Sequence, residues 1–291
     1  MMKVHILCVM SSILALVAAR PWSPASTTYF FTFGNSYTQT DFNSDGEQPT
    51  PSSPMGNPPL GTGTTAGGIN WVGYLTTTEN ASLILSYNLA IGGATIDNDL
   101  VSSSHGDLVS QVALFEKAYA NKPDPAPWTA ESAVFGFWIG INDSFNREDA
   151  NTFIPKLIAR LASLVQKVYD AGGRKFLFLN VPPTSRSPMF LNQGNDTVQR
   201  HAAYLAVYNR NLRSMVAGFE MNHTDVSVVY YDSWAFMTKV LDRPLDYGFP
   251  DATCINQDGS SCFWWNDYHP SSKYHRLQAE DMKSVLMRPG W

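Results

Sequence analysis

Long apolar runs are almost missing from this chain of 291 residues. The one such run, residues 6–17, is too short to span a bilayer, and no later stretch is long enough, so no membrane partner is expected. Charge is scarce as well: Asp, Glu, Lys and Arg make up 15% of the chain and leave a net −5, which excludes the basic surface a nucleic acid requires. Cysteine is reduced to three residues with no close histidine pair, which argues against a metal site. Internal repeats, coiled-coil heptads and a dividing linker are all lacking.

What is present begins with the early apolar run itself. It follows Lys3 and His5 and ends at Val17-Ala18-Ala19. That is the pattern of a secretory signal peptide over residues 1–19, cleaved after Ala19, leaving residues 20–291 as one large domain of a secreted, extracellular protein. Cys8 would leave with that leader. Cys254 and Cys262 remain as an even pair across a short polar loop, where an oxidising compartment favours a disulfide. Sequons stand at Asn80, Asn142, Asn195 and Asn222, of which Asn80, Asn195 and Asn222 are expected to carry glycans.

Strand and helix patterns alternate along the chain. A β-rich aromatic run, Tyr29-Phe30-Phe31-Thr32-Phe33, ends in Gly34, and strand patterns recur at 83–89, 132–139, 175–181 and 225–231. Helical periodicity occupies 68–75, 108–119, 150–171 and 197–221, and the tail 270–286 reads as a closing helix. This alternation predicts an α/β fold, a three-layer α/β/α sandwich with a five-stranded, mainly parallel sheet. Residues 38–68, rich in Pro, Gly, Ser and Thr, carry no element and are expected to form one wall of a cleft.

Ser36 follows Gly34-Asn35 where the first strand must turn out of the sheet. Ligands collect at the carboxyl ends of parallel strands, so this hydroxyl is a candidate nucleophile, although a serine there commonly just caps a turn. Three further stretches give the serine a context: Gly92-Gly93-Ala94, Gly140-Ile141-Asn142-Asp143 and Asp267-Tyr268-His269-Pro270. Together with Gly34-Asn35-Ser36-Tyr37, their order and spacing resemble the four blocks of the SGNH (GDSL-type) hydrolases. The chain is most similar in appearance to the secreted fungal acetylesterases of carbohydrate esterase family 16.

The resemblance implies an SGNH hydrolase fold and a carboxylic ester hydrolase acting on short acyl, most simply acetyl, esters of carbohydrate without a cofactor. Ser36 would be the nucleophile and His269 the general base. The backbone N–H groups of Ser36 and Gly93, with the amide of Asn142, would form the oxyanion hole; Asn142 is then expected to carry no glycan. The 13% aromatic content, with eight Trp, suits stacking on sugar rings. A monomer acting on a small or oligosaccharide ester is expected.

Two positions depart from the family pattern. Asn35 replaces an aspartate in the first block, and Asn266 stands three residues before the histidine where the family places its acid. Either Asn266 holds the ring through its carbonyl, as register favours, or Asp267 turns inward as the acid. A lipase or phospholipase of the same fold, and a carbohydrate-binding homologue impaired in catalysis, are the competing readings.

Overall fold

A computed structural model describes residues 27–145 and 148–286. The expected leader 1–19 and the start of the domain at residue 20 lie outside the described residues. Five strands form one sheet: β1 (Thr27–Gly34), β2 (Leu83–Asn88), β3 (Ala133–Trp138), β4 (Lys175–Leu179) and β5 (Ser227–Tyr231). They run in the order β2-β1-β3-β4-β5 with every pairing parallel. From β1 the chain winds one way to β2, then crosses back to β3 and onward. Such an order places a topological switch between β1 and β3, the position where an open parallel sheet forms its ligand crevice.

Alternation along β1 shows how the layers form. Phe30 points to one face and meets Trp71 of α1 (Trp71–Thr77), edge-on at 6.1 Å. Phe31 points to the other face and meets Phe115 of α2 (Leu108–Ala118) at 5.3 Å. The parallel register then stacks like residues across strands: Phe33, Phe137 and Phe178 lie in one row with ring separations of 4.7 and 5.6 Å. Burial of such rings on both faces is the main favourable term holding the sheet.

The α2 face is completed by α3 (Ala150–Asp170) and α5 (Asn195–Asn222), with Phe219 of α5 edge-on to Phe176. On the opposite face α1 packs against the closing helix α7 (Ser272–Leu286). Between them in sequence stand the short α4 (Pro188–Leu191) and α6 (Ser233–Asp242). The sequence pattern did not anticipate α6, although Asp232 caps it by accepting the Ala235 N–H. It also set the first helix at 68–75, whereas α1 starts at Trp71 because Asn70 is its N-cap.

Residues 38–68 contain neither helix nor strand, as expected, yet they are tied to the body. The fully buried Thr38 carbonyl accepts from both Asn70 Nδ2 (2.9 Å) and Asn88 Nδ2 (2.6 Å). At its far end Thr65 Oγ1 donates to the Ser36 carbonyl at 2.8 Å. The loop thus leaves the Ser36 turn and comes back to it.

Candidate active site

Ser36 is held by the end of β1. Gly34 is clamped by the buried amide of Gln111, which accepts the Gly34 N–H at 2.8 Å and donates to its carbonyl at 2.7 Å. A Cβ at Gly34 would stand 2.5 Å from the Trp138 carbonyl, so only glycine lets β1 and β3 end side by side. The chain then turns, with Thr38 and Gln39 N–H groups both donating to the Asn35 carbonyl. Asn35 Oδ1 accepts the Tyr37 N–H at 3.1 Å, the turn bond an aspartate would also make. The cost of the amide shows on its other side: Asn35 Nδ2 is buried with no partner among the described residues.

Facing Ser36 is His269, on a segment with no sheet to support it. Its Nε2 lies 2.8 Å from Ser36 Oγ. Behind the ring, Asn266 Oδ1 lies 3.1 Å from Nδ1 and also accepts the backbone N–H groups of Tyr268 (2.9 Å) and His269 (2.7 Å). Backbone N–H groups can only donate, so the atom they share is the amide oxygen. An oxygen acceptor then requires the ring proton on Nδ1, which leaves Nε2 free to accept from the Ser36 hydroxyl. Burial drives the His269 pKa down to about 4, against a smaller upward pull from Asp267.

Asp267 takes no part in that arrangement. Its side chain is exposed, and its carbonyl accepts the Met189 N–H at 2.8 Å. Of the two ways sequence offered to support the ring, the geometry contains the Asn266 carbonyl. The Asp267 carboxylate makes no hydrogen bond to it among the described residues.

The segment 252–271 is pinned instead by covalent and polar contacts. Cys254 and Cys262 are joined in a disulfide. Trp264, wholly buried, accepts through its carbonyl from Asn256, donates its own N–H to Cys254 and its indole N–H to Ala252. Tyr37, the residue after the serine, donates its hydroxyl to the Tyr268 carbonyl at 2.5 Å, linking the two halves of the site directly. Burial raises its pKa well above that of a free phenol, so the donor stays protonated.

The other two blocks close the crevice. Gly93 has φ +75°, and a Cβ there would stand 2.4 Å from the exposed His105 ring. Asn142 Nδ2 donates to the Ala94 carbonyl at 2.8 Å, which leaves its second N–H available. The next residue grips the same loop: Asp143 Oδ1 accepts the Ile96 N–H at 3.0 Å. Asp143 is fully buried, its Oδ2 has no partner among the described residues, and desolvation pushes its pKa up to about 7. Asp97 completes the restraint through an ion pair to Arg160 of α3 at 2.6 Å.

Sequence reading placed Asp143 in a motif without giving it a task, because a carboxylate is ordinarily a surface group. Gln111 was missed altogether; a lone glutamine in an amphipathic helix carries no signal. Of the other histidines, His201 stacks on Phe190 at 3.7 Å and meets Thr184 Oγ1 at 2.9 Å. His275 is buried beside Tyr37, and its Nδ1 lacks a partner among the described residues, so it is packed but not satisfied.

No group of three or more His, Cys, Asp or Glu side chains able to hold a metal occurs among the described residues. No helix there is long and apolar enough to cross a membrane.

Comparison with known proteins bears on the family and the fold. The model of the GDSL-like lipase/acylhydrolase family matches residues 30–282. An acetylesterase of Thermothelomyces thermophilus is 41% identical over 262 residues, spanning 88% of this chain and 87% of that one. An acetylesterase of Hypocrea jecorina is 24% identical over an alignment of 312 residues, spanning 89% and 88%. Among solved structures, a member of the lipolytic G-D-S-L family from Veillonella parvula superposes with a TM-score of 0.50 at 11% identity, covering 91% of this chain and all of that one.

Proposed function

The chain belongs to the GDSL-like lipase/acylhydrolase family and is a carboxylic ester hydrolase, and from that premise we propose that it is a secreted acetylesterase acting on hemicellulose-derived carbohydrate. The observation that carries the mechanism is the 2.8 Å approach of Ser36 Oγ to His269 Nε2, with the opposite ring nitrogen facing Asn266. Neutral His269 takes the Ser36 proton as the oxygen attacks the ester carbonyl. The resulting oxyanion is met by the N–H groups of Ser36 and Gly93 and the spare N–H of Asn142. As the intermediate collapses, His269 gives its proton to the departing sugar oxygen, which leaves as the hydroxyl, and water repeats the sequence on the acyl-enzyme.

Because Asn266 is neutral, the imidazolium formed in each step is stabilised by a carbonyl dipole and by the exposed Asp267 charge at longer range. A low histidine pKa compensates in one respect: the base form persists far into the acid range. The substrate assignment draws on the acetylesterase relative and on the tied, polar loop 38–68 beside Ser36. The disulfide supports export, with residues 1–19 as leader, residues 20–291 as the hydrolase domain, and glycans on Asn80, Asn195 and Asn222.

The test is hydrolysis of aryl acetate, aryl long-chain ester and acetylated xylo-oligosaccharide by wild type and Ser36→Ala. Acetate esters should be preferred, and Ser36→Ala should lose at least about 10⁴-fold in kcat with folding intact. Preference for the long-chain ester would make the enzyme a lipase. A wild type that binds the oligosaccharide but cleaves none of the three esters would favour the reading as a homologue impaired in catalysis.

A further inference from the structure

Beside the crevice lies a second cleft of about 650 Å³ that contains neither Ser36 nor His269. We propose that it binds a pyranose ring of the leaving alcohol, one or more sugar units away from the acetylated position; the proposal rests on the carbohydrate reading above. Phe145, whose ring lines the cleft, is 47% exposed, unusual for so large an apolar side chain in a chain that buries most of its aromatics. The ring is nonetheless held in place, with Phe190 stacked at 5.6 Å and Tyr268 at 5.7 Å. Phe190 in turn lies flat on His201. An exposed yet supported aromatic face is what the apolar face of a sugar ring requires.

The remaining lining supplies the polar complement. Gln193 and Arg200 stand exposed in the lining, with side chains long enough to pair with ring hydroxyls. The hydroxyls of a sugar can pair with these rim side chains, whereas a long acyl chain offers them no partner.

Position separates the alcohol from the acyl portion of the ester. His269 must protonate the leaving oxygen, so the alcohol lies on the His269 side of the crevice. Tyr268 adjoins His269, with the rings 5.5 Å apart, and Phe145 packs on Tyr268. Two ring contacts thus connect the wall of the cleft to His269, on the side where the alcohol departs. Phe145 also lies three residues beyond Asn142, whose carbonyl accepts the Phe145 N–H at 3.2 Å, so the oxyanion loop and the cleft share one turn.

The test compares kcat and KM of wild type, Phe145→Ala and Phe145→Tyr on acetylated xylo-oligosaccharide, aryl acetate and aryl butyrate. Phe145→Ala should raise KM for the oligosaccharide by about 3- to 10-fold, the range of one aromatic contact. Its kcat/KM on oligosaccharide relative to aryl acetate should fall by the same factor, and Phe145→Tyr should restore it. An unchanged ratio in an active Phe145→Ala enzyme overturns the cleft and leaves the acetylesterase reading standing. Selective loss on aryl butyrate overturns it in favour of an acyl channel. A wild type that cleaves aryl acetate but no acetylated sugar overturns the carbohydrate reading and the cleft together.

Discussion

The half of the site that carries Ser36 and the half that carries His269 are built by opposite means. Ser36 stands at the end of a central strand, fixed by parallel ladders on both sides and by Gln111 on the Gly34 backbone. His269 stands on a segment held by individual contacts, among them the Asn266 oxygen, a disulfide, a buried tryptophan and the Tyr37 hydroxyl on the Tyr268 carbonyl. Backbone geometry repeats wherever the fold does, and in the first half Asn35 keeps the turn bond an acid would make. The second half depends on individual side chains, and there each substitution registers directly in the chemistry.

The largest effect expected from that contrast is at Asn266. Its oxygen serves three donors, so Asn266→Ala removes the support of the ring and of the turn before it at once. Turnover should fall by about 10³- to 10⁴-fold, comparable to disabling a triad acid. Asn266→Asp keeps the acceptor and adds charge. It should raise the His269 pKa by roughly one to three units and increase kcat at neutral pH. A pH–rate profile reads both, and an acid limb that does not move in Asn266→Asp would break the assignment of Asn266 to the ring.

Titration sharpens the comparison further, since each half hides an ionisable group with the opposite sign. On the His269 side, burial lowers His269 to about 4 and His275 to about 3 from 6.5. The unfolded chain binds those protons first, so their contribution to stability is lost as pH falls below about 6.5. On the strand side, burial raises Asp143 from 3.8 to about 7, so the folded state holds the extra proton and stability is lost as pH rises through that window. Asp143→Asn keeps an acceptor for Ile96 and removes the titration. Thermal unfolding between pH 4.5 and 8 should show the variant gaining up to a few kcal/mol over wild type at the alkaline end and nothing at the acid end. Parallel curves for the two proteins would refute an ionisable Asp143.

Breaking the disulfide should affect one half only. Cys254 and Cys262 close a loop of eight residues, for which the chain-entropy model gives about 2–3 kcal/mol. Replacing both with serine should lower Tm by roughly 4–8 °C. The near-ultraviolet signal of the strand-side aromatics should persist, and KM should rise with the loosened His269 segment. Equal damage to both halves would mean the disulfide acts through global stability.

Much of the strand half was legible in sequence for the same reason that it is robust. Hydrophobic alternation and punctuating glycines report backbone geometry, and they located every strand and the glycine turn before Ser36. The five parallel strands bear out the expected three-layer fold. Side-chain partnerships across long separations leave no such trace. Thr38 is met by Asn70 and Asn88, Gly34 by Gln111, and Ile96 by Asp143. Apart from Asp143, which stands in a recognised block, none of these residues differs in type or spacing from an ordinary surface polar residue. The second cleft was invisible for a further reason: its lining comes from the turn after β3, the start of α3, α4 and residues 197–207 of α5, which only the fold brings together.

The smallest expected effect is also the one that separates proximity in sequence from proximity in space. Asp267 adjoins Asn266 and lies two residues before His269, yet its carboxylate faces solvent and reaches the ring only through a field that raises the His269 pKa. Exposed charges are screened by water and salt, so such a field is worth a few tenths of a kcal/mol. Asp267→Asn should therefore shift the acid limb of kcat/KM downward by less than about half a unit at low salt, and leave kcat at pH 7 within about twofold. The shift should vanish at about 0.5 M salt, where the screening length shrinks to a few ångströms. A loss approaching the 10³-fold range at any salt concentration would mean that Asp267 turns inward during turnover, and the triad would then be Ser36, His269 and Asp267.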